Sequence, residues 1–285
     1  MDFARKTRIA CPRMGKTLRP FRRIGCTALM AALALPPAAR AHEFAASRFV
    51  NEPRAGRFPS LGTITYRCDR GQRQVICSGQ GVLVSRCLVL TSDHLARDAV
   101  DRRTRADGLT KTFVLDGTAY DVVPLEAGAD AGDAPMAENA DADWALMQVR
   151  ANACPGSPQR WLRAPTIDPA RLPTGTALAV YSVDDRDASR LVVSRGRFEG
   201  RAPGDVLMMA SASMRPGQSG GLVTALAPDG SPQVIGIVQG ANYPRNRLFQ
   251  TGLKRFSPQT ANLFTDIFAI YAQSRAGALI VRDQN

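Results

Sequence analysis

Residues 217–221 read Gly-Gln-Ser-Gly-Gly, and the order in which the chain supplies partners for that serine decides the fold. Three glycines around one serine imply a tight turn that exposes the hydroxyl and leaves backbone N–H groups free. A positioned hydroxyl beside N–H donors is what acyl transfer needs, as nucleophile and oxyanion hole. The same residues also describe a plain glycine-rich hairpin, so the pentapeptide has to be judged by its partners.

Two other segments carry candidate partners. Leu88-Val-Leu-Thr-Ser-Asp-His94 ends an apolar strand on a histidine, and Asp143-Trp-Ala-Leu-Met-Gln-Val149 opens another on a carboxylate. Asp141, two residues before Asp143, is the rival acid. G-x-S-x-G also fits the nucleophile elbow of the α/β-hydrolases, in which the acid and then the histidine follow the serine. Outside the first 41 residues the only histidines are His42 and His94, both upstream of Ser219, so that fold has no base. The order His94, Asp143, Ser219 belongs to a different triad topology.

Period-two patterning and β-branched content divide the chain into twelve short strands. The first six are Leu61–Tyr66, Gln74–Ser85, Leu88–Ser92, Lys111–Leu115, Thr118–Leu125 and Trp144–Val149. The second six are Ala177–Val183, Arg190–Phe198, Val206–Ser211, Gly221–Leu226, Gln233–Gln239 and Leu248–Leu253. A Pro-rich linker, 155–175, separates a unit at 61–154 from one at 176–256. Evenly spaced short strands, six and six, predict an all-β protein of closed barrels or a sandwich and not a βαβ fold. A helix over 257–276 is expected to follow: Ser257 caps it, Pro258 takes its first position, and Leu263, Ile267, Ile270 and Tyr271 share a face. Gly277 is its expected stop.

With these segments in place, the chain resembles the trypsin-like serine peptidases of the chymotrypsin fold, in their bacterial secreted branch. The resemblance spans about residues 60–273 and implies two six-stranded antiparallel β-barrels followed by the C-terminal helix. Val89-Leu-Thr-Ser-Asp-His94 is similar to the family's V-L-T-A-A-H, and Asp143-Trp-Ala-Leu to its D-I-A-L. Arg215-Pro-Gly-Gln-Ser219-Gly-Gly with Val234-Ile-Gly-Ile-Val resembles P-G-N-S-G-G…V-I-G-I. The resemblance implies that Ser219 is the nucleophile, His94 the general base and then acid, and Asp143 the group orienting the imidazole. It further implies that the N–H groups of Gly217 and Ser219 form the oxyanion hole. Ser213 would lie at the base of the specificity pocket, with Gln239, Gly240 and Ala241 along its wall.

The departures are informative. Trypsin has Asp just before the nucleophile, where it pairs with a freed N-terminus; here Gln218 stands there and no I-V-G-G sequence exists. Activation by an inserted ammonium is therefore not expected. Ser213 replaces the pocket Asp of trypsin, and the wall has no histidine, so a charged P1 residue has no counter-charge in these segments.

The first 41 residues read as a signal peptide: eight basic residues, an apolar run Ile24–Leu35, Pro36-Pro37, then Ala-Arg-Ala at 39–41. An exported protein, periplasmic or secreted, is expected, with 42–60 as an N-terminal segment or propeptide. The 285-residue chain has a formal charge of +12, from 37 basic and 25 acidic residues. Residues 1–41 hold nine of the basic and one of the acidic residues, so the remainder carries 28 against 24. No Lys/Arg stripe interleaves with aromatics, which excludes nucleic acid as the partner. No apolar stretch reaches the roughly 18–20 residues that span a bilayer, so no stable membrane anchor is expected. The expected partner is a protein or peptide substrate, and the expected state a monomer.

Four cysteines follow the signal segment: Cys68, Cys77, Cys87 and Cys154. In an exported chain they predict two disulfides. Cys68 and Cys77 flank a hairpin tip and form the natural local pair, leaving Cys87 with Cys154. No CxxC is present, and His42 would chelate copper only with a second imidazole beside it, so neither metal nor cofactor is expected. The expected function is a serine endopeptidase; the alternatives are a catalytically silent homologue acting as a binding module, and an esterase-like hydrolase on the same fold.

Overall fold

The computed structural model describes residues 49–70, 73–96, 111–128, 143–150, 154–155, 161–163, 167–201, 207–227, 229–241, 262–275, 277 and 280. Strand formation follows the patterning closely. The first sheet comprises β2 (Leu61–Arg70), β3 (Arg73–Ser85), β4 (Leu88–Thr91), β5 (Lys111–Leu115), β6 (Thr118–Ala127) and β7 (Ala145–Val149). It closes into a barrel in the order β2-β3-β4-β7-β6-β5. The β5–β6 hairpin shows the local logic. Leu115 pairs with Thr118 across Asp116-Gly117, both at positive φ (49° and 80°), as a tight two-residue hairpin turn requires.

Alternate residues of the barrel strands point two ways, and both ways are buried. Ile64, Leu83, Val89, Phe113, Ala145 and Met147 fill the barrel. Leu61, Val82, Leu90, Trp144 and Leu146 turn outward and pack with Tyr181, Val183, Leu191, Leu222 and Ile237 of the second sheet. Hence the sequence shows near-continuous apolar runs in these strands instead of a clean alternation.

The second sheet has seven strands. They are β1 (Val50–Pro53), β8 (Ala177–Val183), β9 (Arg190–Arg201), β10 (Leu207–Ala210), β11 (Leu222–Leu226), β12 (Pro232–Ala241) and β13 (Asn262–Asp266), in the order β1-β9-β10-β13-β12-β11-β8. β8 pairs additionally with β9. The expectation of two six-stranded barrels therefore holds for one closed barrel; the second unit is a seven-stranded sheet that is not closed, and two of its elements also depart from the expected ones.

The first departure is β1, which the sequence reading left in an N-terminal segment. Its Val50 pairs with Val193 and its Pro53 with Arg190, along a stretch of β9 that β10 does not reach. Arg54 follows, buried at 8% exposure, with its backbone N–H bonded to the Ser189 carbonyl and its guanidinium to Asp116 and the Leu61 carbonyl. This stretch is woven into the folded unit.

The second departure is the C-terminal helix, expected from Ser257. Asn262–Asp266 is instead strand β13, paired to β10 on one side and β12 on the other, and only Ile267–Gln273 is helix (α2). Two sheet neighbours offer these backbones a full ladder, which overrides helical periodicity. Asp266, not Ser257, caps α2, its side chain accepting from Phe268 N–H at 2.8 Å. Ile267 and Ile270 pack into the core between the sheets, while Leu263 belongs to β13. The predicted strand Leu248–Leu253 lies outside the described residues.

Cys87 and Cys154 are disulfide-bonded, with Cα atoms 5.0 Å apart. Cys77 is disulfide-bonded as well. The side chain of Cys68, its expected partner, lies outside the described residues.

Candidate active site

The seam between the two sheets collects the residues singled out from the sequence. His94 sits on α1 (Asp93–Ala96), a single turn entered directly from β4. That turn is held at both ends. Ser92 Oγ donates to the Val238 carbonyl of the second sheet at 2.8 Å. At the other end buried Lys111 donates through Nζ to the Leu95 carbonyl (2.7 Å) and to that of Ala96, satisfying acceptors a four-residue helix leaves open.

Because Thr91 pairs with Ala145, the chain entering β7 lies beside α1, and Asp143 stands there, two residues before the strand. Its carboxylate is within 2.9 Å (Oδ2) and 3.1 Å (Oδ1) of His94 Nδ1. Oδ1 also accepts the backbone N–H of His94 at 2.9 Å. A carboxylate can only accept, so Nδ1 carries the proton and Nε2 is left as the basic nitrogen. Burial of the imidazole pulls its pKa down, but the charge and hydrogen bond of Asp143, with the charge of Asp93, outweigh it and hold the net value above 6.5. The His94 side chain stays 25% exposed. Asp141, the rival acid, lies outside the described residues.

Ser219 lies in the turn entering β11. Gly217 and Gly220 have φ of 87° and 78°, open to glycine at no steric cost. At Gly220 a Cβ would also lie 2.1 Å from the Gln80 carbonyl oxygen, so nothing but hydrogen fits. Backbone bonds stitch the turn to both sheets: Gln80 N–H donates to Ser219 O, and Gly220 N–H to Val238 O, each at 2.7 Å. The N–H groups of Gly217 and Ser219 take part in no hydrogen bond among the described residues. Two free donors flanking one hydroxyl are the elements of an oxyanion hole.

The Ser219 hydroxyl itself is turned toward the Gln239 carbonyl, at 3.3 Å, and makes no hydrogen bond to His94. Asp143 and His94 are thus joined, whereas Ser219 stands in the same seam unlinked to them. Bonds of this kind commonly tighten only when substrate is bound.

The expected substrate wall is β12. Gln239 is buried, and at Gly240 an added Cβ would meet nothing within 4 Å, so the backbone there faces open space. Ala241 is the last residue of the strand, opposite Asn262. Ser213 is half-buried, its carbonyl accepting the Ser194 hydroxyl.

Asn262 was missed because its segment reads as helix. It is 7% exposed, sits in register between Ala210 and Ala241, and donates Nδ2 to the Ala212 carbonyl at 2.6 Å. Its Oδ1 is buried without a hydrogen-bond partner. No local signal marks it; only the pairing of β13 does. Trp144 is buried in the packing between the sheets, its indole N–H reaching Gln273 Oε1 at 3.3 Å.

Among the described residues no cluster of three or more His, Cys, Asp or Glu side chains could hold a metal ion. No described helix is long and apolar enough to cross a membrane.

Comparison with known proteins places the sequence in a family. No curated protein matches the chain. Among solved structures, the chain is similar to the inactive form of a mutant of Rv3671c from M. tuberculosis H37Rv. That likeness has 16% identity and a TM-score of 0.48, over 80% of this chain and 90% of that one. It is similar also to the inactive form of the Rv3671c protease (16% identity, TM-score 0.47, 77% of this chain and 89% of that one). The family model of the trypsin-like peptidase domain matches residues 79–237, from β3 to β12, a stretch that takes in His94, Asp143 and Ser219. The chain belongs to the trypsin-like peptidase family.

Proposed function

We propose that the protein is an exported, monomeric serine endopeptidase that cleaves peptide bonds through an acyl-enzyme, with Ser219, His94 and Asp143 as its triad. The observation that carries this is the Asp143 carboxylate on His94 Nδ1, which leaves Nε2 as a base in the seam that holds Ser219 and two free N–H groups.

The chemistry runs as follows. Rotation about the Ser219 Cα–Cβ bond frees the hydroxyl from Gln239. The hydroxyl proton passes to His94 Nε2 as Oγ bonds to the scissile carbonyl carbon, and the carbonyl oxygen becomes an oxyanion held by Gly217 and Ser219 N–H. Asp143 stabilises the imidazolium. Collapse breaks the C–N bond, with the Nε2 proton going to the departing amine. Water then repeats the sequence: His94 takes its proton, its oxygen attacks the acyl carbon, and the proton returns to Ser219 Oγ as the acid leaves. No step needs a metal or cofactor. Substrate would lie along Gln239, Gly240 and Ala241, with its P1 side chain toward Ser213. The signal-like first 41 residues and the Cys87–Cys154 bridge support export.

One observation favours a second reading. A Ser219 hydroxyl bonded to Gln239 and not to His94 is also what a catalytically silent binding module would show. Labelling with a fluorophosphonate separates the two, because only an activated serine reacts. The wild type should label and cut casein, and Ser219→Ala should do neither. An unlabelled wild type that still binds peptide would establish the silent module, and hydrolysis of esters with no cleavage of casein would establish the esterase.

A further inference from the structure

Two buried glutamines reach the nucleophile turn from different parts of the chain, and both anchor it to the same strand. Gln80, on β3 of the barrel, is 2% exposed. Its Nε2 donates to the Gly217 carbonyl at 3.0 Å, and its Oε1 accepts the Val183 N–H of β8 at 2.9 Å. Gln218, also 2% exposed, lies within the turn. Its Oε1 accepts the Arg215 N–H at 2.8 Å, and its Nε2 donates to Ser182 Oγ at 3.0 Å. Ser182 and Val183 are consecutive residues of β8.

From this geometry we infer that Gln80 and Gln218 form a paired carboxamide clamp that positions the oxyanion turn. The inference rests on the peptidase reading above. Gly217 has no Cβ and a φ of 87°, so by itself its peptide groups rotate at little cost. An N–H aimed at an oxyanion is useful only if it stays aimed before the charge appears. Gln80 fixes the plane of the 217–218 peptide by its oxygen. Gln218 closes the turn from inside, since its side chain holds Arg215 N–H while its backbone N–H holds Arg215 O at 3.1 Å. The N–H groups of Arg215, Gln218, Gly220 and Gly221 are all engaged, and among the turn's described N–H groups those of Gly217 and Ser219 remain free. Neither glutamine is positioned to touch the reacting atoms. They are positioning residues, and each carboxamide uses its oxygen and its nitrogen at once, which a carboxylate cannot do.

The test compares purified wild type with Gln80→Leu, Gln218→Leu and a control, Thr224→Val. The control removes another buried side-chain bond to β8, Thr224 Oγ1 to the Ala179 carbonyl, away from the turn. Each clamp variant should lose about 10–100-fold in kcat and in the rate of fluorophosphonate labelling, with KM within threefold, the range expected when an oxyanion donor is misaimed. A peptidyl boronic acid, which mimics the tetrahedral species, should bind more weakly by a similar factor. Thr224→Val should keep kcat within twofold. Gln80→Glu keeps the shape and the acceptor for Val183 but sets an oxygen where the donor to Gly217 was, and it should fall with Gln80→Leu; circular dichroism and urea unfolding of every variant separate a misaimed turn from a failed fold. A wild type that neither labels nor cleaves would overturn the peptidase reading. An active wild type with clamp variants within twofold in kcat and boronate affinity would overturn the clamp alone, as would a loss confined to KM.

Discussion

Replacing Asp143 by Asn tests the site at its most constrained point. The carboxylate makes three contacts with His94, two to Nδ1 at 2.9 and 3.1 Å and one to the backbone N–H at 2.9 Å. An amide has one oxygen. If that oxygen keeps the backbone N–H, the new NH₂ faces Nδ1 and makes it an acceptor. The ring proton then moves to Nε2, and the base is lost. Loss of the correct tautomer in such a triad costs about 10⁴ in kcat, or about 5 kcal/mol of barrier.

The same change predicts a shift in pH dependence. In the wild type the charge and hydrogen bond of Asp143, with the charge of Asp93, raise the His94 pKa above that of an ordinary imidazole against the effect of burial. Activity should fall as acid is added, with a midpoint above 6.5, and in Asp143→Asn the midpoint of the residual activity should move down. Stability runs the other way. A raised folded pKa stabilises the protonated fold, so this contribution is full below about 6.5 and disappears as pH rises through the folded value. Steady-state kcat/KM on a fluorogenic peptide from pH 5 to 9 measures both effects. A variant retaining more than a tenth of wild-type kcat with an unmoved midpoint would refute the argument, and a crippled Asp141→Asn beside it would reassign the acid.

Two further outcomes follow from packing and covalent structure. Gly220→Ala and Gly117→Ala both put a side chain at positive φ, costing about 1 kcal/mol. Only Gly220 has a backbone oxygen 2.1 Å from the new Cβ, so in urea it should lose about 1–3 kcal/mol more at unchanged m, and equal losses would contradict the crowding. Replacing Cys87 and Cys154 together by Ala opens a loop of 67 residues and should cost about 4 kcal/mol, about 1–2 more than replacing Cys68 and Cys77. Peptide mapping of the unreduced protein should return the 87–154 linkage, and equal losses for the two pairs would refute the loop-length ranking.

Local chemistry carried most of the fold into the sequence. Asp116-Gly117 dictates a two-residue hairpin because both positions need positive φ, and the β5 and β6 runs beside it fix the register. The order of the proposed triad residues was legible because it is a one-dimensional property: a histidine ending one strand, a carboxylate opening another, and a serine among glycines. What remained illegible depended on partners distant along the chain. Val50–Pro53 becomes a strand because β9 offers a free stretch of edge, and Asn262–Asp266 is strand instead of helix because β10 and β12 pair with it on both sides. Gln80 looks like any polar residue in a strand, and its role exists only where Gly217 and Val183, 137 and 103 residues away, close on its two amide atoms. The hydroxyl of Ser219 gives the sharpest division. The sequence determines that a serine stands at this turn, but a rotamer is chosen by surrounding acceptors, and tertiary structure alone put the Gln239 carbonyl in its reach.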